Sequence, residues 1–285
     1  MNIAKTRRRT ESLQFLEKVF EANLFYILDE CAMAIDRLSS FAENESNPLL
    51  NYFVSNGGRS IHKWIDYFDV YHRSFAKYRG KPITFVEIGI QNGGSLQMWR
   101  NYFGENAKII GVDVDQNCKN LEQEGFEIWI GDQSDPEFWN EFLQKNSSLD
   151  IVLDDGGHTM EQQTNSLVSL FPALVNGGTY LCEDTHTSYF PSHGGGLRRE
   201  STFIEAVKSL IDEMHAWYHA PLSKIPESYI ANNLYSVSFF DSIVVLEKRF
   251  KNQPLLLARG QEGHINNPLA MTHVEIRRAF GVSDT

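Results

Sequence analysis

Cysteine is scarce in this chain. Cys31, Cys118 and Cys182 are the only three in 285 residues, odd in number and widely spaced. They form no C-x-x-C pair, so neither a disulfide framework nor a zinc ribbon is indicated, and the simplest compartment is a reducing cytoplasm. Positive charge is also in deficit. Lysine and arginine number 26 against 37 acidic residues, a net charge of −11. Such a surface repels phosphate backbones and argues against general nucleic-acid binding. Long hydrophobic runs are missing as well. The basic start MNIAKTRRRT leads into no apolar stretch before Glu11, so it does not read as a secretory signal. The longest uncharged stretch, 162–182, is broken by Pro172, Asn176, Gly177 and Gly178, and reads as helix, turn and strand rather than a membrane span. There is no internal repeat and no low-complexity tract.

What is present is an ordinary globular composition, 42% hydrophobic and 12% aromatic. A chain of this length buries a core large enough to need no staples. In the first eighty residues Leu13, Leu16, Phe20, Leu24, Ile27, Cys31, Ile35 and Leu38 recur at helical spacing. After a break at 41–48, Ile61, Trp64, Phe68, Tyr71, Phe75 and Tyr78 make a second stripe that Gly80 and Pro82 terminate. Both stripes suit core packing or subunit contact. From Thr84 short apolar runs alternate with helical stretches. TFVEIGI, KIIGVDVD, FEIWIGD, DIVLDD and TYLCED read as buried strands, with helices over 95–102, 116–123, 136–143 and 160–174. Ser134 with Glu137 suggests a capping box ahead of the third of these. Another amphipathic helix follows at 203–217, and NNLYSVSFFDSIVVLEKRF reads as a hairpin split at Asp241-Ser242. The alternation predicts a parallel, doubly wound α/β sheet. The expected organisation is a helical extension over 1–80, one α/β domain over 81–250 and a patternless tail over 251–285.

Ligands of such sheets sit at the carboxyl ends of the strands. The first strand runs into Glu87-Ile88-Gly89-Ile90-Gln91-Asn92-Gly93-Gly94-Ser95. Glycines between a strand and a helix N-terminus let a ligand approach the backbone. Asp113, 24 residues after Gly89, closes the second strand, where an acid can accept hydrogen bonds from ribose hydroxyls. The loop is not GxGxxG, because Gln91 replaces the middle glycine. Glu87 is a poor neighbour for a pyrophosphate and a good one for an ammonium, so the loop suits S-adenosylmethionine. Gly89, Asn92, Gly93, Ser95, Gln133 and Asp154 are further candidate cofactor contacts. Asp132 reads either as a contact to the adenine amino group or as a helix cap.

The fourth strand ends Asp154-Asp155-Gly156-Gly157-His158 and the fifth Glu183-Asp184-Thr185-His186. Neighbouring strands lie about 4.8 Å apart, which would gather Asp155, Glu183 and Asp184 in one crevice. Carboxylates so placed repel unless a cation lies between them, and oxygen ligands favour Mg²⁺, Ca²⁺ or Mn²⁺. His158 and His186 would be bases or extra ligands there. Capping and salt bridging are the plainer roles for strand-end acids.

The block from Lys63 to Trp99, then IIGVDVD, DIVLDDGGH and YLCEDTHTSYF, resembles the metal-dependent class I O-methyltransferases of natural-product tailoring, the macrolide-sugar and rhamnosyl enzymes of the mycinamicin and tylosin type. The resemblance covers about residues 60–249. Its first loop has the same form, E-I-G-x-x-x-G-G-S. The same motifs also occur in proteins described as cephalosporin hydroxylases, so they do not fix the substrate. The resemblance implies a Rossmann-like sheet of seven strands and Mg²⁺ on Asp155, Glu183 and Asp184. His158 would be the general base, with Asp155 as the other candidate. It also implies methyl transfer from S-adenosylmethionine to a hydroxyl of a sugar or polyketide diol. A small hydroxylated acceptor, a homo-oligomer, and no nucleic acid or membrane partner are expected. A catechol-type methyltransferase, an NAD-dependent oxidoreductase and a non-catalytic binding module are the alternatives. The segment 185–199, with three consecutive glycines, reads as a lid over the crevice, in which His186, Tyr189 and Phe190 would touch the acceptor.

Overall fold

The computed structural model describes residues 47–219 and 228–252. The first helical stripe and the tail from residue 253 on lie outside them. The described chain divides into two compact units, 47–57 with 64–72 and 58–63 with 73–252.

In the smaller unit, helix α1 (Pro48–Ser55) starts on Asn47, whose side chain accepts from the amides of Leu49 and Leu50. Pro48 occupies the first turn, where its missing N–H costs nothing. The Asn47 amide also donates to the Phe68 carbonyl at 2.9 Å, and the Phe53 and Phe68 rings meet at 5.0 Å. Helix α2 covers Tyr67–Phe75 and tightens into a 3₁₀ turn at Ala76–Tyr78. The stripe from Ile61 is therefore shorter as a helix than its spacing predicts. Trp64 precedes the helix and stacks on Tyr67 at 5.7 Å. Tertiary contacts override the local period at this point, because Lys63 is drawn into a cluster of acids.

In the larger unit, β1 (Thr84–Ile88), α3 (Gly94–Phe103), β2 (Lys108–Asp113), β3 (Glu127–Ile130), α4 (Pro136–Lys145), β4 (Leu149–Asp154), α5 (Met160–Leu170) and β5 (Leu174–Cys182) alternate as the sequence predicts. They are followed by α6 (Phe203–Met214), α7 (Ala216–His219), α8 (Tyr229–Asn233), β6 (Leu234–Phe240) and β7 (Ile243–Lys248). The seven strands form one sheet in the order β3-β2-β1-β4-β5-β7-β6, with β7 antiparallel to both neighbours. This is the class I methyltransferase fold. The β6–β7 turn falls at Asp241-Ser242, with Ser242 at φ 63°. Ile88 pairs with Val112 on one side and Asp154 on the other, and Asp154 pairs with Cys182. These registers bring β1, β2, β4 and β5 to an end along one edge, which positions everything that follows.

The strands are apolar because both sheet faces are covered. Val86, Ile110, Val152, Tyr180 and Leu246 are buried in one cluster with Trp139, Phe142 and Phe203. On the other face Phe75, Phe85, Trp99 and Phe103 form an aromatic group with ring centroids 5.2–6.4 Å apart.

Two local expectations need correction. The stretch predicted as a helix at 116–123 is 3₁₀ in form, Gln116–Glu124, and ends on Gly125 at φ 85°. Ser134 is not the cap of α4. Asp135 holds that place and accepts from the Glu137 amide, while the Ser134 hydroxyl donates to Asp132 at 2.8 Å. Asp135 takes the cap because Pro136 sets the first helical residue one position later. A true capping box occurs instead at the start of α5, between Thr159 and Gln162.

Candidate active site

The loop after β1 is shaped by a close approach. Gly89 has φ 83°, and a Cβ there would run into the Asp155 carbonyl. Gly93, at φ 77°, starts α3 without a side-chain cap, so the helix's first amides stay directed at the loop. A cavity of about 200 Å³ opens beside this loop, lined among others by Gly89, Asp113, Gln133, Asp155, Gly156 and Gly157. Of the predicted cofactor residues, Gly89, Asp113 and Gln133 line it. Glu87, Asn92, Gly93, Ser95, Asp132 and Asp154 are not among its lining residues.

Each of these has an observable occupation. Asp113 Oδ2 accepts from the amides of Ile90 and Gln91, both at 3.0 Å, and Oδ1 from Asp115 at 2.9 Å. The acid of β2 thus braces the β1 loop. Asp132 accepts from the Ser134 amide at 2.8 Å and acts as a local cap. Asn92 offers its carbonyl to Arg59 at 3.3 Å. Glu87 is fully buried and accepts from the Ser95 hydroxyl at 2.8 Å. Burial pushes its pKa up, against the pull of Lys63. Gln133 and Asp154 belong to a buried network: Gln133 donates to Asp154 and to the Ser166 hydroxyl, each at 3.0 Å, and Tyr180 donates to Asp154 at 2.9 Å. Burial raises the Asp154 pKa to about 6, although Tyr180 and Gln133 oppose the shift.

At the ends of β4 and β5 the structure brings Asp155, His158 and Asp184 together. One ligand atom from each lies within 4.8 Å of the others. His158 Nε2 is 3.4 Å from Asp184 Oδ2 and 3.8 Å from Asp155 Oδ1. His158 and Asp184 both adopt left-handed backbone, at φ 58° and 52°. That conformation is uncommon for residues with a Cβ and concentrates at functional sites. Burial lowers the His158 pKa against the raising effect of Asp155 and Asp184, so the ring is held toward its neutral form. The oxygen and imidazole donors suit a divalent ion such as Mg²⁺ or Mn²⁺.

Glu183 meets Asp155 through a shared cation. Both its oxygens accept from the Lys63 ammonium, at 3.0 and 3.1 Å. Lys63 also donates to Asp155 Oδ2 at 2.6 Å and lies 3.5 Å from Glu87. Sequence reasoning passed over Lys63. Its partners are 92 and 120 residues away, and no local pattern marks it.

The segment predicted as a lid is tied down by its own backbone. It forms 3₁₀ turns at Thr185–Tyr189 and Pro191–His193. Gly195 and Gly196 donate to the carbonyls of Phe190 and Ser188 at 2.9 and 2.8 Å. The glycines permit this close approach, since a Cβ at Gly195 would come within 2.5 Å of the Thr187 carbonyl oxygen. His186 Nδ1 meets the Ser242 hydroxyl at 2.5 Å. A second cavity of about 270 Å³ lies here, lined by Thr185, His186, Tyr189, Phe239, Phe240 and Ser242 among others. Tyr189 lines it, whereas the Phe190 ring packs on His186 and His193 at 5.2 and 6.2 Å. Phe239, Phe240 and Ser242 were not singled out by sequence, because only the antiparallel strand brings them to this edge.

Known proteins are similar to this chain. Residues 86–185 match a family model described as a methyltransferase domain. A 3'-O-methyltransferase of 8-demethyl-8-(2-methoxy-α-L-rhamnosyl)-tetracenomycin C from Streptomyces olivaceus is 31% identical over 82% of this chain and 62% of its own length. The L-olivosyl-oleandolide 3-O-methyltransferase of Streptomyces antibioticus is 32% identical over 74% of this chain and 56% of its own. The solved MycE methyltransferase of the mycinamycin pathway, in complex with Mg and SAH, superposes with a TM-score of 0.62. It is 27% identical over 72% of this chain and 54% of that one. The chain thus spans a little over half the length of these relatives.

Proposed function

The chain belongs to the macrolide- and sugar-directed O-methyltransferase family, and from that premise we propose that it moves a methyl group from S-adenosylmethionine to a hydroxyl of a small natural product, with Mg²⁺ as cofactor. The observation that carries this reading is the meeting of Asp155, His158 and Asp184 beside the Gly89–Asp113 cavity.

The first cavity takes the methyl donor. Asp113 faces it and accepts from ribose hydroxyls while keeping its hold on the loop amides, since a carboxylate has about four acceptor sites. The bare amides at the start of α3 suit the donor's carboxylate. Buried Glu87 gives the loop the negative charge that suits an ammonium and a sulfonium.

Asp155 and Asp184, with Glu183 completing the set, would hold the divalent ion, which leaves His158 free to accept a proton. When bound, that ion lowers the acceptor hydroxyl's pKa and orients it. His158, held toward its neutral form by burial, takes the hydroxyl proton on Nε2, and Asp155 Oδ1 is the other acceptor within reach. The rigid β4 and β5 ends fix both groups against the donor cavity, and such positioning supplies much of the rate in a one-step transfer. The second cavity, with Tyr189, Phe239 and Phe240, offers aromatic surface to the apolar face of a sugar or polyketide. The relatives' acceptors, a rhamnosyl tetracenomycin and olivosyl-oleandolide, support a glycoside. Among the described residues Cys118 and Cys182 are free thiols, which suits a reducing cytoplasm, and no helix is long and apolar enough to cross a membrane.

The test is incubation with deuteromethyl-labelled S-adenosylmethionine and a panel of hydroxylated glycosides and polyketides, followed by mass spectrometry. The expected product carries one labelled methyl and forms only without chelator. Label transfer to catechols alone, with glycosides untouched, would replace the sugar reading by the catechol one.

A further inference from the structure

Four acids, Glu87, Asp155, Glu183 and Asp184, crowd the end of β1, β4 and β5, and one ammonium sits among them. The Lys63 side chain is only 3% exposed, and those of Glu87 and Glu183 are at 0% and 1%. Buried carboxylates without a partner are costly, so this cation is part of what lets the cluster exist. Its contacts divide Asp155 in two. Oδ2 is 2.6 Å from Lys63 Nζ, while Oδ1 faces His158 Nε2 at 3.8 Å. Glu183 has both oxygens on the same ammonium. A divalent ion taking Asp155 would therefore lie close to a like charge and would have to draw Glu183 away from it.

We propose that Lys63 is a resident counter-cation that competes with the divalent ion for Asp155 and Glu183, holding the acid cluster together without metal and keeping the ion's binding weak and reversible. This rests on the metal-dependent reading above and specifies how that site is regulated. Lys63 is a positioning residue in this account, since it acts through Asp155 and Glu183. A lysine serving only as a structural prop makes the opposite prediction: its removal would loosen the site and weaken metal binding.

The sign of the change in metal affinity decides the matter. Mn²⁺ is titrated into the full chain, with free Mn²⁺ followed by electron paramagnetic resonance, for the wild type, Lys63→Met, Glu183→Gln and the double variant. Calorimetric binding of S-adenosylhomocysteine checks that each variant is folded. Loss of a cation at contact distance from two ligand groups is expected to tighten Mn²⁺ binding at least tenfold in Lys63→Met. The double variant, which restores the charge balance, should return to within about threefold of wild type by the same argument. Unchanged or weaker Mn²⁺ binding by a folded Lys63→Met overturns the proposal. If Lys63→Met does not fold, the double variant is compared with Glu183→Gln alone. Tighter binding by the double variant supports the competition, and equal or weaker binding overturns it. If the wild type binds no Mn²⁺ while Lys63→Met does, the competition stands and the resident-metal reading falls. If none binds, both fall.

Discussion

At the ends of β2 and β3, Asp113, Asp115, Asp132 and Asp135 all accept hydrogen bonds from backbone amides of their own or an adjacent loop. At the ends of β4 and β5, Asp155, Glu183 and Asp184 face side chains instead. The difference lies in the backbone nearby. Around β4 and β5 the loop amides already have partners: Asp155 N donates to Ile88 O, Glu183 N to Asp154 O, and Thr185 N to Ser242 O. Around β2 and β3 the amides of Ile90, Asn117, Ser134 and Glu137 take the nearest carboxylate. An acid at a strand end is thus a cap by default. It is released for chemistry where the main chain can satisfy itself.

The largest effect that tests this contrast is on the β4–β5 side. Asp184→Ala, like excess EDTA, is expected to abolish methyl transfer while leaving S-adenosylhomocysteine binding intact. Full turnover in chelator would return these acids to a structural role. Next comes His158→Ala, which should lower kcat by roughly 10²–10⁴-fold, the range for a lost general base. Near-normal turnover there, together with an inactive but metal-binding Asp155→Asn, would move the base to Asp155.

Asp154 offers a third test, read in stability. Its folded pKa of about 6 lies above the ordinary value of 3.8. The folded state therefore binds this proton more tightly than the unfolded chain, and the advantage is complete below pH 4. It is lost as pH rises from about 4 to about 6, a decline of ~3 kcal/mol. Urea unfolding across that window should show the decline in the wild type and lack it in Asp154→Asn. Parallel profiles would show that Asp154 stays charged throughout. The smallest effects belong to the capping side. Asp113→Ala should weaken S-adenosylmethionine binding by roughly 1.5–3 kcal/mol, the value of hydrogen bonds to a charged group. Asp132→Ala should cost about 1 kcal/mol of stability as a lost cap and leave calorimetric cofactor affinity unchanged. A cofactor defect in Asp132→Ala would make Asp132 a cofactor contact rather than a cap.

Much of this was legible before any coordinates. Both sheet faces are covered, so β1, β2, β4 and β5 read as continuous apolar runs. Asp155, Glu183 and Asp184 stood out as a metal set because the neighbouring strands β4 and β5 both end in acids, with His158 beside them as a base. Lys63 stayed invisible because an ion pair across 92 residues leaves no periodic trace. The contact of Glu183 with Lys63 was hidden for the same reason. The start of α2 was misplaced for the same reason, since the pattern around Ile61 and Trp64 knows nothing of the acids that fix Lys63. The cap of α4 turned on a single position, Ser134 against Asp135, finer than spacing resolves.

One consequence of the reversed strand remains. Because β7 runs against its neighbours, the turn at Asp241-Ser242 is delivered to the same rim as the ends of the parallel strands, where Ser242 accepts from Thr185 and meets His186. The rim is thus assembled from two stretches of chain that can vary separately. The Gly89–Asp113 cavity and the acids are written into 87–184, and part of the wall beside His186 into a short turn nearly sixty residues later. Exchanging 239–242 would recut the cavity beside His186 without touching the one lined by Gly89 and Asp113.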